Sequence, residues 1–152
     1  MKRSLCMKTK DILSEKGSRV ATAQETLLLV DVVSIFLSKH IGSMVVMNNH
    51  DEIIGIVAPN DVLKAIDNHP QHITTITISE IMTRDIIVVT PEDDINQLMT
   101  IMTKNRIRHL PVVDKGELIG LVSIGDVVKA KSTVQDVEIC YYKDYIEGKY
   151  PG

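Results

Sequence analysis

Apolar residues run through the chain in one pattern that occurs twice. Leu28, Leu29, Val32, Val33, Phe36 and Leu37 recur at helical spacing, and so do Ile95, Leu98, Met99 and Met102, which predicts two helices with one buried face each. Thr90-Pro91-Glu92-Asp93-Asp94 precedes the second, where a Thr cap, a first-turn proline and carboxylates at the positive dipole end would favour initiation. Each helix is followed by a short β-branched run, a turn and another short apolar run, then by a second helix beginning near an aspartate. A short β-type stretch opens each half, around Val20 in the first and around Ile86 in the second. The predicted order is strand, helix, strand, strand, helix, twice.

The two halves also match residue by residue. Gly55-Ile-Val-Ala-Pro-Asn-Asp61-Val-Leu-Lys-Ala65 returns 65 residues later as Gly120-Leu-Val-Ser-Ile-Gly-Asp126-Val-Val-Lys-Ala130. Ile41-Gly-Ser-Met-Val-Val-Met47 aligns with Ile107-Arg-His-Leu-Pro-Val-Val113 at an offset of 66, and the extra residue falls in a hairpin turn, where a duplication tolerates it. The polar segment Asp67-Asn-His-Pro-Gln-His72 marks the joint. The expected organisation is a first repeat over 8–68, a linker over 69–76, a second repeat over 77–132, and a helix and tail over 133–152.

Composition narrows the class. The chain has 152 residues, 44% hydrophobic and 24% charged, which argues for a folded globular protein and against a disordered or fibrous one. No apolar run approaches the roughly 18 residues of a membrane span. Met1 to Met7 carries basic residues with no apolar stretch behind them, so no signal peptide is expected. Cys6 and Cys140 stand far apart with no C-x-x-C, and a cytoplasmic location is the expectation. A net charge of −3 removes the basic footprint that duplex binding uses, so nucleic acid is not an expected partner.

A duplicated unit of this order, with I-G-x-h-V-V or I-R-H-L-P-V-V in one strand and G-h-V-S-x-x-D leading into a helix, resembles the cystathionine β-synthase-type (CBS) domain. Two such units make the pair called a Bateman module, and the likeness covers roughly Thr9 to Lys131. The second half and the tail Asp144-Tyr-Ile-Glu-Gly-Lys-Tyr150 are similar to short stand-alone bacterial CBS-pair proteins. The resemblance implies an α/β (α+β) fold of two β-α-β-β-α repeats packed sheet to sheet with pseudo-twofold symmetry. It also implies clefts that hold adenosine compounds such as AMP, ADP, ATP, NAD or S-adenosylmethionine, and a homodimer of pairs acting on an effector protein. By the family's motif, Asp126 would bind ribose hydroxyls and Ser123 the phosphate. Asp61 would be the ribose acid of the first half, but Ala58 stands at its phosphate position. Ile86 and Val20 would contact adenine through their backbone on the same ground, and their side chains are more simply core.

The residues themselves fit that chemistry. A carboxylate at Asp126 can accept from both hydroxyls of a vicinal diol, and Ser123 stands at a strand-to-helix turn whose free N–H groups suit an anion. Gly125 between them leaves room for close approach, or is a plain turn glycine. Arg106, Arg108 and His109 form a cationic cluster just before the strand bordering the same place. Arginines there would also solvate an exposed turn, and His109 would also serve as a buried, hydrogen-bonded histidine. Ser123-x-x-Asp126 is a helix-capping pattern as well, and the same holds for Asp61 with Asn60 beside it.

Other chemistries lack their parts. His69-x-x-His72 has no third ligand nearby for zinc, and phosphate loops, dinucleotide fingerprints and zinc-protease motifs are missing. The expected role is therefore not enzymatic. Val134, Val137, Tyr141 and Tyr145 recur at helical spacing in the tail, which leaves a second reading open, an adaptor that recruits a protein partner through the tail without any ligand.

Overall fold

The computed structural model describes residues 7–133, so the tail helix expected from Val134 onward lies outside the described residues, as do Cys6 and Cys140. Within that range the elements are α1 (Thr9–Lys16), β1 (Thr22–Gln24), α2 (Leu29–Lys39), β2 (Met44–Met47), β3 (Ile53–Val57), α3 (Pro59–Asn68), α4 (Ile78–Ile81), α5 (Ile95–Asn105), β4 (His109–Asp114) and β5 (Glu117–Ser123). A last helix, α6, runs over 124–133. This is the doubled β-α-β-β-α order in a mixed α/β chain. In the second half the opening strand is reduced to one parallel bridge, Val89 with Val112, and Ile86 lies in irregular chain rather than in a strand.

The chain divides into two compact units, one holding residues 19–87 and the other holding residues up to 18 together with those from 88 onward. These units cut across the segments 8–68 and 77–132, because the helix that opens each segment belongs to the unit built on the strands of the other. In the first unit β1 lies parallel to β2, and β2 lies antiparallel to β3. Leu29, Val32 and Phe36 of α2, Val62 and Ala65 of α3, and Ile78 of α4 close over this sheet with Met44, Val46 and Val57. Leu37, expected on the buried face of α2, is 71% exposed, one turn beyond the stripe the sheet covers.

The second unit is built on the β4–β5 hairpin, which turns at Lys115 and Gly116 with positive φ at both. Ile95, Leu98 and Met102 of α5 and Val127 and Ala130 of α6 are buried with Leu110, Val112 and Val122. The cap of α5 is Asp94, whose carboxylate accepts from the Asn96 N–H at 2.6 Å, and not Thr90. Thr90 to Asp93 instead form a turn closed by Asp93, which accepts from the Thr90 N–H at 2.7 Å. The displaced start frees the carbonyls of Pro91 and Asp93 to receive the N–H groups of Lys10 and Thr9 at 2.9 and 2.8 Å, and this anchors α1 to the second unit.

Candidate functional site

Each unit has a corner where a β-strand hands the chain to a helix, and each corner carries an aspartate at the third helical position. In the second unit the Asp126 carboxylate accepts from the Ser123 N–H at 2.8 Å, and the Ser123 hydroxyl accepts from the Asp126 N–H at 3.1 Å. This reciprocal capping box satisfies two donors at the start of α6. The same Oδ2 atom also accepts from the Lys16 ammonium at 2.5 Å, and Lys16 donates a second bond to the Leu121 carbonyl at 2.8 Å. Capping and the ion pair thus share one carboxylate oxygen. Among the described residues no hydrogen bond reaches Oδ1.

Burial works to raise the Asp126 pKa, but the hydrogen bonds from Lys16 and Ser123 outweigh it and hold the carboxyl below its ordinary 3.8. Asp126 is therefore ionised at neutral pH. His109 pairs with Ser123 across the β4–β5 ladder. Burial, then the nearby Lys16 charge, hold its imidazole below the ordinary 6.5, with Asp126 acting the other way and Arg108 adding to the lowering. The ring is therefore mostly neutral at pH 7 and adds no fixed cation beside Asp126. Arg108 is exposed, and its carbonyl accepts from the Ile124 N–H at 2.8 Å, so the positive charge stands at the rim. Arg106 is also exposed and is the left-handed C-cap of α5, with φ of 55°. A Cβ at Gly125 would come no nearer than 3.6 Å to the Ser123 hydroxyl oxygen, so the protein's own packing does not require a glycine there. What the glycine provides is open space in front of Ser123.

In the first unit Asp61 accepts from the Ala58 N–H at 2.9 Å and, at 3.4 Å, from the Thr83 hydroxyl. Asn60 is exposed in the first turn of α3, and Val20 is half-buried just before β1. Ile86 and Val20 belong to this unit, whereas Ser123, Gly125, Asp126, Arg108 and His109 belong to the other. Buried Ser43, which stands at the position of His109, has a hydroxyl without a hydrogen-bond partner among the described residues. Among the described residues no group of three or more His, Cys, Asp or Glu is placed to hold a metal ion, and no helix is long and apolar enough to cross a membrane.

Residues 10–68 and 78–133 match the family model of the CBS domain, once for each repeat. The chain belongs to the CBS domain family. It is 32% identical over 150 residues to the mitochondrial CBS domain-containing protein CBSX3 of Arabidopsis thaliana, covering 92% of this chain and 72% of that protein. Its fold superposes on the CBS-domain containing protein ATU1752 of Agrobacterium tumefaciens with a TM-score of 0.78 and 33% identity, over 82% of this chain and 92% of that one. The CBS domain pair of protein MJ0100, solved in complex with 5′-methylthioadenosine and S-adenosyl-L-methionine, is similar with a TM-score of 0.71 and 26% identity, over 82% and 94% of the two chains.

Within this CBS pair, one site residue escaped the sequence reading. Lys16 stands 110 residues from Asp126, and no local motif joins them. The repeat marks only the segment that carries it. Lys8-Thr-Lys-Asp-Ile-Leu13 aligns with Thr77-Ile-Ser-Glu-Ile-Met82 when Leu13 over Gly120 is superposed on Met82 over Gly55. Continued three residues further, that alignment sets Lys16 opposite Asp85.

Proposed function

We propose that this CBS pair is a regulatory sensor that binds an adenosine-containing nucleotide, AMP or the AMP half of a dinucleotide such as NAD, at the Ser123–Asp126 corner. One observation carries the reading. An ionised carboxylate whose Oδ1 accepts no hydrogen bond among the described residues stands beside a hydroxyl and a lysine ammonium. These are the acceptor and the donors that a ribose and its phosphate require. The capping bonds explain why Asp126 is fixed in place, but they use only Oδ2 and do not account for Lys16 or for the open space at Gly125. The adenosine ligands of MJ0100 support the same class of ligand here.

The test is a thermal-shift panel of AMP, ADP, ATP, NAD, NADH and S-adenosylmethionine on wild type, Asp61→Ala and Asp126→Ala. A ligand at a hundredfold excess over its Kd stabilises the fold by about 2.7 kcal/mol. That gain should vanish in Asp126→Ala, while the loss of the cap itself costs only about 1 kcal/mol. Gly125→Ala sharpens the result, because it should leave stability unchanged or raise it by up to about 1 kcal/mol while abolishing the ligand shift. Full ligand response in Asp126→Ala would show the site assignment to be wrong.

A further inference from the structure

The two acid corners share a backbone but differ in charge. In the second unit Lys16 sits on the Asp126 carboxylate, and Arg108 stands at the rim. Position for position, the first unit has Gly42 for Arg108, Ser43 for His109, Ala58 for Ser123 and Asn60 for Gly125. The difference at Lys16 has a structural cause. After Leu13, α1 stays helical for three more residues, and this brings the Lys16 ammonium back to the Leu121 carbonyl and to Asp126. After Ile81 the chain turns extended, and the Thr83 N–H donates at 2.8 Å to Ile56, the counterpart of Leu121. A backbone bridge thus does in one unit what a lysine side chain does in the other. Among the described residues the Asp61 carboxylate accepts only from Ala58 and Thr83. The charged and titratable side chains lining the hollow of about 170 Å³ beside it are Lys64, Glu80 and His69.

We propose that the two corners sort adenosine ligands by charge, with Lys16 as the residue that decides. The Asp126 corner takes a phosphorylated adenosine, and the Asp61 corner takes an uncharged one, such as a thioether nucleoside. This rests on the adenosine reading above. A carboxylate placed to hold a ribose diol repels a phosphate on the same ribose, and the low dielectric of a half-buried site strengthens that repulsion. Lys16 cancels the Asp126 charge and adds a donor for the anion. Among the described residues no cation is in salt-bridge contact with Asp61 and no hydroxyl stands at Ala58, and the one lysine lining the hollow, Lys64, is outnumbered there by the carboxylates of Asp61 and Glu80, so an anionic ligand would meet a net negative lining. An uncharged ribose would find a carboxylate acceptor with no ammonium competing for its lone pairs.

The experiment is isothermal titration of the full chain with AMP and with 5′-methylthioadenosine, using wild type, Lys16→Gln, Asp61→Ala and Asp126→Ala, with each variant's melting curve confirming the fold. AMP affinity should drop about tenfold or more in Lys16→Gln, the weight of one charge-assisted hydrogen bond, and be lost in Asp126→Ala. Binding of 5′-methylthioadenosine should be lost in Asp61→Ala and be unmoved by Lys16→Gln. Added salt should weaken AMP and leave the uncharged ligand alone. AMP binding that needs Asp126 but ignores Lys16 would sink the sorting and leave the sensor reading standing, and so would methylthioadenosine binding that depends on Asp126. If wild type binds neither compound, the sorting fails, and the adenosine reading fails with it if the six-ligand panel gives no thermal shift either.

Discussion

The two units solve one packing problem with different chemistry. In both, the segment that opens the other repeat lays an apolar side chain over a strand glycine, Leu13 of α1 over Gly120 and Met82, just past α4, over Gly55. In both, the carboxylate of the third helical residue closes back on the residue before the helix. The units part where that outer helix ends. The four-residue α4 gives way to a backbone bridge, whereas α1 runs on to deliver a lysine. One carboxylate is thereby paired with an ammonium, while the other is held by a backbone N–H and a hydroxyl. The repeat supplies the shared frame, and a few residues outside the repeated strands set the charge of each corner.

The strongest way to break this comparison is to remove the apolar anchor of α1. Ile12 is 5% exposed, and Ile12→Ala should cost about 2–5 kcal/mol. Amide exchange should accelerate in residues 88–133 and in α1 itself, with little change across 19–87. Loss of protection confined to 19–68 would contradict the assignment of α1 to the second unit.

The two glycines give a smaller and more pointed test. A Cβ at Gly55 would meet the Thr83 backbone oxygen at 2.9 Å as well as the Met82 sulfur at 2.6 Å, whereas the three atoms nearest a Cβ at Gly120 all belong to the Leu13 side chain, the first at 2.6 Å. Side-chain ends can swing aside, but a bridged backbone resists. Both alanine variants should destabilise within the range of about 1–3 kcal/mol typical of overpacking, and Gly55→Ala should be the costlier in chemical denaturation. Equal costs would mean that the bridge at Thr83 yields as easily as a leucine rotamer.

The smallest effect expected is a pH dependence belonging to one unit. His109 has its pKa lowered in the fold, chiefly by burial, so below 6.5 the unfolded chain binds more protons than the folded one. The stability that comes from keeping this ring neutral is therefore present above 6.5 and is lost as pH falls below it. Unfolding midpoints followed from about pH 7.5 down to about pH 5 should decline more in wild type than in His109→Gln. The same decline in both proteins would remove His109 as its source.

The doubled order of elements was legible because each half obeys the simple periods of helix and strand, and the aspartates were legible because S-x-x-D and P-N-D stand at strand-to-helix junctions. The start of α5 was misplaced because Thr90-Pro91 is as good a local signal as Asp94. Tertiary hydrogen bonds from Thr9 and Lys10 favour the later start, and a single segment does not display them. The exchange of outer helices was hidden for a related reason. Lys8-Thr-Lys-Asp-Ile-Leu13 and Thr77-Ile-Ser-Glu-Ile-Met82 share a pattern, so either could serve either unit, and long-range contacts such as the pairing of α1 with residues 91–94 distinguish them. Lys16 fell into the same gap, being one of many exposed lysines until α1 is docked.

Binding of an adenine nucleotide at the Ser123–Asp126 corner is tested by an amide chemical-shift map of the full chain titrated with AMP. The largest shifts are expected at residues 121–127, with companions at 106–109 and at 15–17, all of them absent in Asp126→Ala. Shifts centred on residues 56–61, or no shifts in the folded chain at saturating AMP, would contradict it.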